Sequence, residues 1–134
     1  MLALPRNWIT TLAALLLSFT AVSAHAKWEE IYNVEAAEIP AGLSNAKIVK
    51  AIQTGGAQRG WVVTEEGAGH LLATLNIRSH TVRADIKFTS SSYSITYRDS
   101  QNMKFKKGKI HGNYNKWVRN LDGDIQRALM LVSL

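Results

Sequence analysis

The chain has 134 residues, 16 Lys and Arg against 10 Asp and Glu, a formal charge of +6 and no cysteine. That length suits one small domain with one core. Without cysteine there is no disulfide framework, no thiolate metal site, no cysteine nucleophile and no thiol to carry a lipoprotein's acyl anchor, so the fold must rest on its core alone.

Residues 1–26 read as an export signal. Arg6 and the amino terminus give a short positive region, 9–22 form an apolar stretch broken by Thr10, Thr11, Ser18 and Thr20, and Ala24-His25-Ala26 offers small residues at a processing site. Cleavage is expected after Ala26. The apolar run falls short of the roughly 20 residues that cross a bilayer, so no permanent span is expected after processing. The remainder loses only Arg6 among its charged side chains, leaving 15 basic against 10 acidic residues, about +5. Such a charge suits an anionic envelope component, whether lipid, glycan or acidic protein. Export argues against nucleic acid as a partner.

From 27 to 43 the composition is mixed and locally acidic, and Pro40-Ala41-Gly42 breaks the chain; a loosely ordered arm is expected there, followed by a single domain over 44–134. Ser44 is placed to cap a helix beginning at Asn45, with Ala46, Ile48, Val49 and Ile52 at helical spacing, and Gly55-Gly56 weaken its last turn. Gly60 to Glu66 reads as a short strand, and Gly67-Ala68-Gly69 as a turn.

Between Gly69 and Phe88 the apolar residues stand at odd positions before Ser79 and at even positions after it. A hairpin with Ser79-His80 as its loop accounts for this, setting Ile77 opposite Val82, Leu75 opposite Ala84, Ala73 opposite Ile86 and Leu71 opposite Phe88. Onward, Tyr93, Ile95 and Tyr97 continue the buried face opposite Phe88, Ile86 and Ala84; backward, Trp61 and Val63 face Leu75 and Ala73. Met103 and Phe105 alternate with lysines in the manner of a short fifth edge strand. Tyr114, Trp117, Val118, Leu121, Ile125, Ala128 and Leu129 then mark an amphipathic helix. The expected fold is a two-layer α+β domain, a four-stranded antiparallel meander with two helices on one face, in the order α-β-β-β-β-α.

The register leaves Leu72, Thr74, Asn76, Arg78, Arg83, Asp85 and Lys87 on the other face, joined by Ser94, Thr96 and Arg98. The candidate binding residues are therefore Arg78, His80, Arg83, Asp85, Lys87, Arg98 and His111. Solvation alone accounts for such a face in many antiparallel sheets, with Asp85 paired to a neighbouring arginine. A histidine metal site is not expected, because His70 and His80 at opposite ends of one strand lie roughly 30 Å apart. No cofactor is expected either. As a base, His80 with Asp85 or His111 with Tyr114 is conceivable, but G-x-S-x-G, H-E-x-x-H and phosphate-loop patterns are all missing. In the alternative reading, His111 or Asn113 caps the last helix while Tyr114 and Trp117 fill the core.

Four pieces, taken in order, carry a family likeness: Arg59-Gly60-Trp61, Ile77-Arg78-x-His80, Tyr93-Ser94-Ile95-x-Tyr97-x-x-Ser100 and Ile110-His111-x-x-Tyr114-Asn115-x-Trp117-Val118-x-Asn120-Leu121. Together, over about 46–129, they resemble the small uncharacterised proteobacterial envelope proteins described as lipoproteins. The resemblance implies an envelope location and a shared fold, and transfers no catalytic or binding residue. His25-Ala26-Lys27 stands where the lipidated cysteine of such proteins would sit, so a soluble periplasmic form is expected. The leading functional expectation is a non-enzymatic binding or accessory module for an envelope component. The alternative is a small hydrolase or transferase of envelope polymers using His80 or His111.

Overall fold

The computed structural model describes residues 27–134; the export signal expected over 1–26 lies outside the described residues. The elements run β1 (Trp28–Glu30), β2 (Val34–Glu38), α1 (Asn45–Ala57), β3 (Val62–Gly67), β4 (His70–Ile77), β5 (His80–Phe88), β6 (Ser92–Gln101), β7 (Lys109–His111) and α2 (Asn113–Ser133). The chain is α+β, as expected: an antiparallel five-stranded sheet in the order β2-β6-β5-β4-β3, a two-stranded β1-β7 ribbon, and two helices. No helix among the described residues is long and apolar enough to cross a membrane.

Ser44 caps α1 as expected, its hydroxyl accepting from the Lys47 amide at 3.2 Å. The helix buries Ile48, Ala51, Ile52, Gly55 and Gly56. α2 buries Tyr114, Val118, Leu121, Ile125 and Leu129 at three- and four-residue steps. These stripes meet Val63, Leu71, Ala73, Leu75, Val82, Ala84, Ile86, Tyr93 and Ile95 from one sheet face in a single core.

Two expectations about the strands need correction. The segment 27–43 is not a loose arm: it supplies β1 and β2, and β2 takes the fifth position in the sheet by pairing with β6, Val34 opposite Ile95 and Ala37 opposite Tyr93. A bulge between Val34 and Ala37 breaks the alternation that would have announced this strand. Met103 and Phe105 therefore form no edge strand; Met103 is buried in a loop and Phe105 projects outward.

The β4–β5 hairpin turns at Arg78-Ser79, not at Ser79-His80. Ile77 faces His80, Leu75 faces Val82, Ala73 faces Ala84 and Leu71 faces Ile86. The two-residue slip leaves every side chain on its expected face, because parity constrains register only to the nearest even number. Arg78 takes the left-handed backbone that the tight turn demands, with φ 54°. The slip releases His80 into the strand, and the Asn102 side-chain amide holds the turn by donating to Ser79 Oγ at 2.9 Å. The remaining pairings stand as expected, with Phe88 opposite Tyr93, Ile86 opposite Ile95, Ala84 opposite Tyr97 and Val63 opposite Ala73.

Candidate functional site

The outer face of the sheet carries a charge network drawn from four strands. Beyond Tyr97 a bulge inserts one extra residue into β6, so that pairing passes from Ala84–Tyr97 to Arg83–Asp99. Two residues then oppose one, and Arg98 and Asp99 share the outer face. Arg98 lies across it: Nη1 and Nη2 donate to the two Glu66 carboxylate oxygens at 2.7 and 2.8 Å, and Nε lies 3.5 Å from Asp85 Oδ1. His70 Nε2 sits 2.7 Å from Asp85 Oδ1 and 3.7 Å from Glu66 Oε2. Arg83 forms a two-point pair with Asp99.

These contacts change the electrostatics expected of this face. Arg83 and Arg98, two of the candidate binding residues, are both bound to carboxylates, and Asp85 lies beside an arginine as the solvated reading of this face expects. With Glu66, Asp85 and Asp99 set against Arg78, Arg83, Lys87 and Arg98, most of the positive charge of the face is offset. The hydrogen bond from Arg98 holds the Glu66 carboxyl below its usual range, with the charges of Arg98, His70 and Arg83 acting the same way against some desolvation. The Asp99 carboxylate correspondingly raises Arg83, and Glu66 raises Arg98.

Glu66, His70 and Asp85 bring three potential cation ligands within 4.8 Å of one another. Reasoning from the spacing of the histidines missed this trio, since it uses one histidine and two carboxylates from three strands. Arg98 bonds both Glu66 oxygens, so the chain's own guanidinium already supplies the positive charge there.

Neither anticipated base pairing forms. Asp85 bonds His70, whereas His80 Nδ1 lies 2.7 Å from the Asn102 carbonyl and its ring packs tilted against Trp117 at 6.3 Å. His111 Nδ1 accepts from the Asn113 amide at 3.2 Å just ahead of α2, whose N-cap is Gly112 rather than His111 or Asn113, and Tyr114 is wholly buried in the core. Neither His80 nor His111 meets a carboxylate among the described residues. Arg78 is exposed at the hairpin turn and Lys87 is exposed opposite His70.

His80 and His111 both anchor the 102–103 segment, since the His111 amide donates to the Met103 carbonyl at 2.9 Å. From this segment runs a loop that sequence reasoning treated only as an edge strand. Lys106 and Lys109 exchange two backbone hydrogen bonds, 2.9 and 3.0 Å, around Lys107-Gly108, whose φ values are 52° and 74°. Two successive positive φ values are the signature of a tight hairpin turn, and glycine at the second position relieves half its cost. Trp28 is fastened beside this hairpin by its indole N–H, which donates to the Lys104 carbonyl at 3.0 Å, and Lys109 Nζ lies 5.3 Å from its ring centre. Phe105 stacks on Tyr97 at 4.6 Å. Trp28, Lys104, Phe105 and Lys106 together line one shallow depression of about 350 Å³.

No family model matches the chain, and neither a curated protein nor a solved structure does.

Proposed function

We propose that this protein is an exported, periplasmic and non-enzymatic binding or accessory module that attaches to an anionic component of the cell envelope, the location implied by the small envelope proteins it resembles. The observation that carries this reading is the Lys104–Lys109 hairpin. Lys104, Lys106 and Lys107 are exposed and have no carboxylate partner among the described residues. They surround two aromatic side chains left half exposed. The outer sheet face, which its arginines had suggested, supports the reading less, because Arg83 and Arg98 are already paired with Asp99 and Glu66, leaving only Arg78 and Lys87 there without a carboxylate partner among the described residues.

A module of this kind needs no catalytic group, in keeping with a His80 and a His111 engaged by backbone atoms. The test is sedimentation of the protein with isolated cell envelopes. Binding is expected at low ionic strength, falling steeply as salt screens the lysines, and strongly reduced by combined Lys104→Glu, Lys106→Glu and Lys107→Glu. A protein that stays in the supernatant at low salt overturns the reading.

A further inference from the structure

The hairpin and its aromatic neighbours have a chemistry narrower than positive charge. Trp28 and Phe105 are each 48% exposed, unusual for residues that otherwise dominate cores, and both border the depression lined by Lys104 and Lys106. The indole N–H is satisfied by the Lys104 carbonyl, so Trp28 carries no unpaired donor into the surface it borders. Tyr97 supports one face of Phe105 and leaves the remainder outward. The only acidic side chain that the strand register sets against this group is Glu30, opposite Lys109, which leaves Lys104, Lys106 and Lys107 uncompensated.

The backbone pays to hold this arrangement. Asn102, Lys104 and Lys107 all have positive φ without being glycine, 59°, 54° and 52°, within six residues. Strain concentrated in one exposed loop points to what the loop presents. Half-exposed aromatics whose rings lie at the level of long, flexible cations match the interface of a bilayer, where aromatic rings sit among headgroups and lysines reach phosphates. An uncharged glycan would meet the rings but leave the lysines without counter-charges. A folded acidic protein would ask for a broader complementary surface than one hairpin and one strand end.

We propose that the Trp28–Phe105–lysine hairpin surface docks on an anionic phospholipid bilayer, with Trp28 and Phe105 entering the headgroup layer and Lys104, Lys106 and Lys107 contacting lipid phosphates. This deepens the envelope-binding reading and rests on it. Attachment is peripheral and reversible, since two aromatic side chains and three lysines supply far less than a spanning helix.

The experiment is flotation of the protein, purified from its native cells, with vesicles of phosphatidylcholine alone or with about a third phosphatidylglycerol. Binding is expected only with phosphatidylglycerol. At roughly fivefold per lysine, combined Lys104→Gln, Lys106→Gln and Lys107→Gln should weaken it on the order of 100-fold, and Phe105→Ala with Trp28→Ala by roughly tenfold or more. Bromine-labelled acyl chains should quench fluorescence in the wild type, and the Trp28→Phe variant should lose most of that quenching, because among the described residues Trp61 is buried and Trp117 is packed against the core. Circular dichroism of each variant establishes that it is folded.

Binding unaltered by both sets of substitutions overturns the proposal. So does binding abolished instead by Met130→Ser with Leu131→Ser, the exposed apolar residues at the end of α2. Sedimentation with whole envelopes but not with vesicles overturns the lipid assignment while leaving the broader reading in place, and assigns the surface to an envelope polymer or protein.

Discussion

Tyr114 stands at the first turn of α2 with its ring edge-on to Tyr97 at 5.4 Å, fully buried, and its hydroxyl is buried without a hydrogen-bond partner. A polar atom so placed forfeits its hydration and receives nothing in exchange. Tyr114→Phe is therefore expected to stabilise the fold by about 1 kcal/mol, read as a rise in the urea midpoint at unchanged slope; a fall would mean that the hydroxyl is satisfied in solution. Its neighbour Asn115 is the opposite case. Also buried, it accepts from the Tyr32 amide at 2.8 Å and donates to the Glu30 carbonyl at 2.8 Å and to Glu29 Oε2 at 3.0 Å, tying the N-terminal strands to α2. Tyr114 was legible as a core residue from its helical spacing. Asn115 was not, because a polar residue one step along a helix reads as solvated until a partner more than 80 residues away is known. The same limit hid Asp99, which alternation assigns to the core and a bulge turns to the outer face.

Among the elements, the two helices are in close contact at Gly55. A methyl group there would stand 2.8 Å from Ile125 Cα and 2.9 Å from the Asp124 carbonyl, so backbone and not a movable side chain blocks it. Read by propensity, Gly55 and Gly56 only weaken the end of α1; in the structure the helix runs through them to Ala57, the bareness of Gly55 letting α2 in and that of Gly56 making room for Val63. Gly55→Ala would gain about 1 kcal/mol of helix propensity and would force the helices apart. Overpacking of this kind costs about 1–3 kcal/mol, and rigid backbone on the opposing side places Gly55 at the upper end. A net loss of about 2 kcal/mol is expected by thermal or chemical unfolding, while a gain would show that the helices slide without penalty. Beside this crossing, Asp124 is buried and receives Arg59 Nε at 2.9 Å and Arg127 Nη2, so the only buried carboxylate among the described residues is paired from the turn after α1 and from its own helix. That pairing lines a groove of about 790 Å³ with Lys50, Thr54 and Leu131.

Over the molecule as a whole, three tyrosines join the layers and share one response to alkali. Tyr93 reaches from β6 to donate to the Asp122 carboxylate on α2, and burial first, then that bond, raises its phenol well above the ordinary range. Burial raises Tyr114 likewise and, with less effect, Tyr97. Each group has a folded pKa above its unfolded value of about 10, so the stability it contributes is complete below that pH and is lost as pH rises, when the unfolded chain ionises first. Urea midpoints are expected to fall progressively above about pH 10. Tyr93→Phe should shallow that fall, and the phenolate absorbance of these tyrosines should appear together with loss of the circular dichroism signal. Phenolate absorbance at an intact fold would mean that the sheet and helix layers separate before they unfold.

The periodicities of the chain reached a long way. Alternation over 69–97 was enough for the class, for the strand neighbours in the meander and for the face each side chain takes, because burying one side of a sheet leaves only one admissible parity. Helical spacing and the Ser44 cap were enough for both helices, because those signals act within a few residues. Tertiary contact decided the rest. The register of the Arg78-Ser79 turn is settled by what holds Ser79 and His80, the fifth strand by the open edge of β6, and the pairing of Arg98 and Arg83 by Glu66 and Asp99 arriving from another strand and from a bulge. The lysine hairpin acquires its meaning the same way, since only the β1–β7 pairing brings Trp28 from the other end of the domain to stand beside Phe105. Contacts between distant parts of a chain depend on where every intervening element goes, and no local pattern records that.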